Sequence, residues 1–347
     1  MGLFGIGDKK TYLGIDIGST SIKLVELEEQ KGVPVLLTYG YAERALKDVI
    51  SGSSKEIITK VANLLKRVYE KAGVEGYRAV TALPNFSVFT SVITVPYMKK
   101  KDLQSAINWE AKKVVPMPIN QVVLDWRIIN TFQTSNGKKN YRVLLTAASK
   151  KLVRRYVEIF KQANLELLSL ETESFALSRS LLGKSKETTM VIDISALTTD
   201  IIIIEDGVPA LNRSIDVGGV TISRAIANSL HIDFKRAEQF KRDIGIGGDS
   251  KIPQVIRGIL NPVIDEMKYS IKLYKEQSDK KIEKVIISGG SAYLPNLPEF
   301  FEKVLDKRII IGNPWSRVAY YEDLRPALQE VAPRFTVAVG LALREIM

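Results

Sequence analysis

The chain has no cysteine and a single histidine, His231. The first absence removes disulfides, thiolate zinc sites, iron–sulfur clusters and cysteine nucleophiles. The second removes histidine-rich metal sites and forces any Ser-His-Asp triad through His231. That residue precedes Ile232-Asp233 at a helix junction and reads as structural or exposed. Long apolar runs are also scarce. One long uncharged segment, Thr81 to Met98, is broken by Pro84, Asn85 and Pro96 and is rich in Ser and Thr, so it reads as strand, turn and strand. Met1 to Lys10 is too short for a signal-peptide core, carries its cations on the wrong side and lacks the myristoylation hydroxyl. The expected location is therefore the cytoplasm.

What is present is an ordinary globular composition. The 347 residues are 45% hydrophobic, enough for two domains or one large two-lobed one. The net charge is +11, which suggests an acidic partner: nucleic acid, an anionic membrane or an acidic protein. The excess is uneven. Residues 1–80 carry 12 Lys/Arg against 10 Asp/Glu, residues 81–170 carry 14 against 5, and residues 171–347 carry 24 against 24.

The opening block reads β-β-β-α-β: strands at Tyr12–Gly18, Ile22–Glu29 and Val33–Tyr41, a helix at Glu56–Ala72 and a strand at Tyr77–Leu83. The pattern restarts near residue 188, with strands at Thr189–Ile194, Thr199–Glu205 and Val208–Val217, helices at Val220–Leu230, 234–243 and 253–278, and a strand at Lys284–Ser288. A repeat at half the chain length implies two lobes of similar topology. Between them, residues 84–170 read as a basic β-α-β-β-α-β insert with a turn at Ser135-Asn136-Gly137. The organisation expected is 1–83 first-lobe core, 84–170 inserted docking subdomain, 171–187 connecting helix, 188–330 second lobe and 331–347 C-terminal helix.

Each lobe's first hairpin carries an acidic residue and then small residues at its turn. The first is Asp16-Ile17-Gly18-Ser19-Thr20-Ser21-Ile22-Lys23, the second Asp193-Ile194-Ser195-Ala196-Leu197-Thr198-Thr199-Asp200. Small residues let turn amides face a phosphate oxygen, a strand-end carboxylate suits hydrated Mg²⁺, and Lys23 suits a β- or γ-phosphate. Asp-x-Gly-Ser is also a common turn signal; two matched hairpins weigh against that reading. Gly218-Gly219 opens a helix, and the strand Val285–Ser288 ends in Gly289-Gly290-Ser291, which permits close approach of a flat ligand or simply terminates the strand.

These elements, in this order, resemble the actin-like ATPase superfamily. The resemblance implies a duplicated, ribonuclease-H-like two-lobed α/β fold with ATP and Mg²⁺ between the lobes. Asp16, Gly18, Ser19, Thr20 and Lys23 match its first phosphate loop, Asp193, Ser195, Thr198 and Thr199 its second, and Gly289, Gly290 and Ser291 its adenosine motif, with Gly218 and Gly219 also expected to bind the cofactor. Asp16 and Asp193 would hold Mg²⁺ through water. Glu238 and Lys241 in Arg236–Lys241 resemble a helix contacting ribose and adenine, though a solvated helical face gives the same pattern. Glu171 and Glu173 fall where a water-activating base lies; a helix N-terminal acid is the plainer reading. Ser195 stands where these loops usually have Gly, which leaves efficient hydrolysis in doubt.

The insert narrows the branch to the FtsA-like one. Val95–Met98, Leu103–Lys113, Pro116-Met117-Pro118, Val123–Asp125 and the last helix Phe335–Arg344 are similar to the PilM family of type IV pilus assembly proteins. That resemblance implies an ATP-binding adaptor with at most weak ATPase activity. It would bind the cytoplasmic tail of a PilN-like protein, belong to a PilN/PilO inner-membrane platform and connect to pilus motor ATPases. Its location would be cytoplasmic and peripheral to the inner membrane. An FtsA-like filament former is the alternative, disfavoured because the chain ends after a helix that reads as buried; a sugar or acetate kinase is more remote. The Lys pairs at 99–101, 112–113, 138–139 and 150–151 lack interleaved aromatics, so no nucleic-acid partner is expected. An anionic membrane surface is the other partner the charge suggests.

Overall fold

The computed structural model describes residues 10–43, 55–134 and 136–346. Ser135 of the expected turn and most of the N-terminal tip lie outside them. Contacts divide the chain into two compact units, residues 1–83, 155–183 and 313–347, and residues 84–154 and 184–312.

The elements follow the sequence pattern closely. The opening block is β1 (Thr11–Ile17), β2 (Ser21–Gln30), β3 (Val33–Glu43), α1 (Lys55–Ala72) and β4 (Arg78–Leu83). Then come β5 (Val88–Pro96), α2 (Lys100–Val114), β6 (Val122–Gln133), β7 (Lys139–Ser149), α3 (Lys150–Gln162), β8 (Glu166–Thr172) and α4 (Glu173–Leu182). The second block is β9 (Thr189–Ile194), β10 (Thr199–Glu205), β11 (Val208–Ile215), α5 (Gly219–Leu230), α6 (Phe234–Ile244), α7 (Lys251–Gln277), β12 (Lys284–Ser288), α8 (Leu297–Leu305) and β13 (Ile309–Ile311). The chain closes with α9 (Arg325–Val331) and α10 (Thr336–Ala342).

The duplication is visible in the sheets. The first unit has the order β3-β2-β1-β4-β8 and the second β11-β10-β9-β12-β13. In each, the first two hairpin pairs are antiparallel and the fourth and fifth strands add in parallel. The turns correspond too. Lys31-Gly32 and Asp206-Gly207 both take left-handed backbone, the pairing that suits a two-residue hairpin turn.

In the first unit, β1 and β2 pack against Trp315, Phe335 and α10, all of whose residues are buried. The helix fits there because two glycines clear its path. A Cβ at Gly14 would lie 2.2 Å from the Ala338 carbonyl oxygen, and one at Gly340 would lie 2.0 Å from that of Ala176. In the second unit, β9 and β10 are buried along their whole length. Helices α5 to α8 contribute to the core that includes Ile192, Ile203, Ile256 and Phe301.

The insert differs from the six-element reading. Its sheet has three strands in the order β5-β7-β6, with Leu103, Ile107 and Ala111 of α2 in its core. The last two elements return to the first unit: β8 pairs with β4, and α3 crosses to that unit from Arg155 onward. Parallel neighbours require a long crossover, usually helical. Here α3 is that crossover helix, and β5 to β7 are spliced into it. Within the second unit the inserted sheet is tied down by a buried ion pair, Arg142 Nη1 to Glu205 Oε1 at 3.3 Å. Tyr274 also donates its hydroxyl to Glu205, at 2.9 Å.

Candidate functional site

The first hairpin turn is Gly18, Ser19 and Thr20, closed by the Gly18 amide donating to the Ser21 carbonyl at 2.9 Å. Asp16 and Lys23 are cross-strand partners, so their side chains leave one face of the ladder. Lys23 Nζ lies 2.8 Å from Asp16 Oδ2, and both side chains are nearly buried. Each therefore supplies the other's counter-charge. A phosphate group arriving at this turn would compete with Asp16 for the ammonium of Lys23.

The second hairpin repeats the construction. The Ser195 amide donates to the Thr198 carbonyl at 2.9 Å, as Gly18 does to Ser21. The cross-strand pair is Asp193 and Asp200. A carboxylate thus stands where the first hairpin has a lysine. Burial pushes Asp200 up to about 7, against the hydrogen bond from Ser214; the charge of Asp193 adds to the rise and a hydrogen bond with Asn85 opposes it. Ser195, the residue in place of glycine, donates its hydroxyl to Asp193 Oδ2 at 3.0 Å. Its side chain is turned back on the strand-end acid. The Thr199 hydroxyl is likewise engaged, donating to the Val217 carbonyl at 2.6 Å, and Thr198 is buried.

Three further segments gather at this turn within the second unit. The amides of Gly219 and Val220 donate to the Ser195 and Ala196 carbonyls, each at 2.9 Å, which fixes the start of α5. A Cβ at Gly218 would lie 2.6 Å from the Ala196 carbonyl oxygen. The Gly289-Gly290 pair divides its roles. Gly289 has left-handed backbone, and a Cβ there would lie 2.5 Å from the Ile194 carbonyl oxygen, so it is needed for packing. A Cβ at Gly290 would meet nothing within 4 Å, so that backbone borders open space. The Ser291 amide donates to the Ile194 carbonyl at 3.2 Å.

Helix α6 closes the group. Lys241 is buried rather than on a solvated face. Its Nζ lies 2.7 Å from Glu238 Oε2 and donates to the Gly219 carbonyl at 3.1 Å. Ser223 also donates to Glu238, at 2.5 Å. Burial lowers the Lys241 pKa. Burial by itself would raise Glu238, but its bonds from Lys241 and Ser223 outweigh that and hold it below the usual range. A Cβ at Gly219 would come 2.8 Å from Ser291 Oγ and 3.4 Å from Lys241 Nζ. Ser195, Gly219, Ser291, Glu238 and Lys241, far apart in sequence, thus converge.

Glu171 is placed otherwise than a base requires. Arg179 holds both its oxygens, at 2.9 and 3.0 Å, and Arg344 approaches to 3.5 Å. With both oxygens occupied by guanidinium donors, Glu171 is a structural residue joining β8 to α4 and the last described turn. Glu173 sits in the first turn of α4. It and Asp16 both raise the neighbouring Tyr156 phenol, whose main cause of elevation is complete burial.

The pattern of a family described as "Type IV pilus assembly protein PilM" matches residues 14–346. The chain belongs to the PilM family. Among solved structures, the PilM–PilN type IV pilus biogenesis complex contains a chain 28% identical to this one, with a TM-score of 0.83 over 97% of this chain and 98% of that one. MreB5 of Spiroplasma citri bound to ADP is 13% identical, with a TM-score of 0.54 over 97% and 96% of the two chains. The cell division protein FtsA of Enterococcus faecalis is 20% identical over 87% of this chain and 78% of its own length. The likeness to the solved MreB5 structure shows the actin-like fold.

For a PilM-family chain the sequence reading missed one set of residues at the second turn. Asp200, Ser214 and Asn85 interact there, and Asn85 lies at the entrance to the insert. A signal existed for Asp200, which follows Asp193 at the same seven-residue spacing as Lys23 follows Asp16. Among the described residues no helix is long and apolar enough to cross a membrane.

Proposed function

We propose that this actin-like type IV pilus assembly protein is an adenine-nucleotide-binding adaptor that receives the cytoplasmic tail of a PilN-like membrane protein. The observation that carries the adaptor part is the likeness to a chain of the PilM–PilN complex over almost the whole of both chains. Through that partner the protein would sit at the inner membrane beside PilN and PilO and be connected to the pilus motor ATPases.

The nucleotide part rests on the matched turns, one in each unit. The donor set fits a magnesium nucleotide. Each turn sets small residues beside a strand-end acid, Asp16 or Asp193, Gly290 leaves its backbone uncovered, and Lys23 carries a cation that a phosphate can claim. Asp16 and Asp193 are the carboxylates assigned to hydrated Mg²⁺, which would neutralise phosphate charge. Binding rather than turnover is the role assigned, because Glu171 is held by two arginines.

Isothermal titration of the full chain with ATP and Mg²⁺, alongside Asp16→Ala and Asp193→Ala, tests the nucleotide part. Heat from wild type that both variants lose supports it; no heat, or undiminished heat in the variants, rejects it. Fluorescence anisotropy with a labelled peptide of the membrane partner's cytoplasmic tail tests the adaptor part, and absence of binding rejects it. Pull-down of motor ATPases by the loaded adaptor tests the motor connection.

A further inference from the structure

Tyr97 stacks on Tyr141 at the tip of the inserted sheet, ring centroids 4.9 Å apart, and Lys139 Nζ lies 4.5 Å over the Tyr97 ring. The Tyr97 amide donates to the Lys139 carbonyl at 3.0 Å, which brings the loop before α2 against the β6–β7 hairpin. The contact gathers Lys99, Lys100 and Lys101 from one segment and Lys138 and Lys139 from the other, all exposed, with Tyr97 itself 52% exposed. None of these five lysines forms an ion pair with a carboxylate among the described residues. Lys113, at the other end of α2, does pair, with Glu110 at 2.8 Å. The first turn of α2 contributes the one acid nearby in sequence, Asp102.

We propose that this tyrosine–lysine tip is a contact surface for anionic phospholipid headgroups. Uncompensated lysines lose little on meeting a negative surface, and each adds to the attraction within a Debye length. A half-exposed tyrosine suits the boundary between headgroups and acyl chains, where its ring is partly buried and its hydroxyl stays wet. All five cations are Lys and none is Arg. Lysine supplies mobile point charge without a fixed fork, which matches a fluid array of phosphates better than the set carboxylates of a folded partner. A hairpin tip and helix start also present a surface rather than a groove for a peptide. Nucleic acid is disfavoured because the Tyr97 ring is already taken up by Tyr141 and Lys139 rather than free for base stacking. The charge excess of residues 81–170 thus has a local focus. This contact needs neither nucleotide nor a protein tail, so it stands or falls apart from the function proposed above.

The test is co-sedimentation of the full chain with vesicles of phosphatidylglycerol and phosphatidylcholine, and with phosphatidylcholine alone. Wild type is expected to partition at least about tenfold more onto the anionic vesicles and to be released by salt. The variant Lys99→Gln/Lys101→Gln/Lys138→Gln/Lys139→Gln should lose that advantage by about tenfold or more. Lys112→Gln/Lys113→Gln should bind like wild type. Tyr97→Ala should leave initial attraction intact but raise the off-rate. Melting curves establish that the variants fold; should the fourfold variant not fold, Lys138→Gln/Lys139→Gln replaces it, with a loss of severalfold expected. Equal binding to both vesicles, no binding, or full binding by the tip variants overturns the proposal. So does single-stranded DNA or poly-glutamate that binds the tip more tightly than vesicles and displaces them.

Discussion

Asp193 faces Asp200 across the β9–β10 hairpin, two acids at positions where the first hairpin pairs Asp16 with Lys23. The duplicated fold has thus kept its backbone and inverted one charge. In the first hairpin the acid is neutralised by its neighbour. In the second, the innermost acid is raised to about 7 by burial and is served by Ser214 and Asn85.

This gives a stability prediction with a definite sign. An unfolded aspartate titrates near 3.9. Asp200 in the folded chain holds its proton to about 7. Between these values the folded state binds more protons than the unfolded one, so stability falls as pH rises through that window. Asp200→Asn removes the slope. In the presence of chelator, the variant should match wild type near pH 4 and exceed it near neutral pH by on the order of 1–3 kcal/mol. Thermal unfolding across that pH range measures the difference, and parallel curves for the two proteins would contradict the assignment.

Glu171→Gln separates the structural role from the catalytic one. The neutral amide leaves Arg179 and Arg344 without their shared carboxylate, and the variant should lose about 2–4 kcal/mol in denaturant unfolding. Any ATP turnover of the folded variant should stay within about twofold of wild type, whereas loss of a general base removes on the order of a hundredfold or more.

The buried tie between the inserted sheet and β10 is open to a double-mutant cycle. Arg142→Ala leaves Glu205 buried with Tyr274 and Ser278, and Lys280 3.8 Å away. It should cost about 2–4 kcal/mol. Arg142→Met/Glu205→Gln should recover part of that loss, because no uncompensated charge remains. With Arg142→Met and Glu205→Gln as the single variants, a double-variant cost equal to the sum of theirs would show that the pair is not coupled.

Gly340→Val should prevent accumulation of folded protein. Its added atoms would collide with the Ala176 carbonyl, and neither α4 nor α10 can withdraw without uncovering the first unit's core. Gly290→Ala, which meets nothing, should leave the melting temperature within a degree or two while weakening nucleotide binding about tenfold. The pair distinguishes a glycine required by packing from one required by a ligand.

Much of this organisation was legible in sequence because it is local. Alternating apolar residues, the Lys31-Gly32 and Asp206-Gly207 turns and the repeated Asp-small-residue hairpins each declare themselves within a few positions. The misreadings are of pairing. Leu165–Leu170 has the same strand pattern whether it joins the insert or β4, and only the sheet order decides. Glu171 reads as a free acid until Arg344, far along the chain, is seen beside it. Tyr97 and Tyr141 stand two residues from Lys99 and Lys139 in sequence, but only the pairing of β5 with β7 stacks the two rings into one tip. Conversely, nothing in the strand pattern around Gly14 explains its lack of a side chain, which α10 requires.

That last contact bears on how the protein is made. Gly14 and Ala338 lie near opposite ends of the described chain, so the face of β1 stays bare until α10 has left the ribosome. The second unit's main segment, residues 184–312, is complete before then. Vectorial synthesis therefore favours a nascent chain in which residues 184–312 assemble while β1 still waits for α10, leaving an apolar strand face that chaperones would meet during translation.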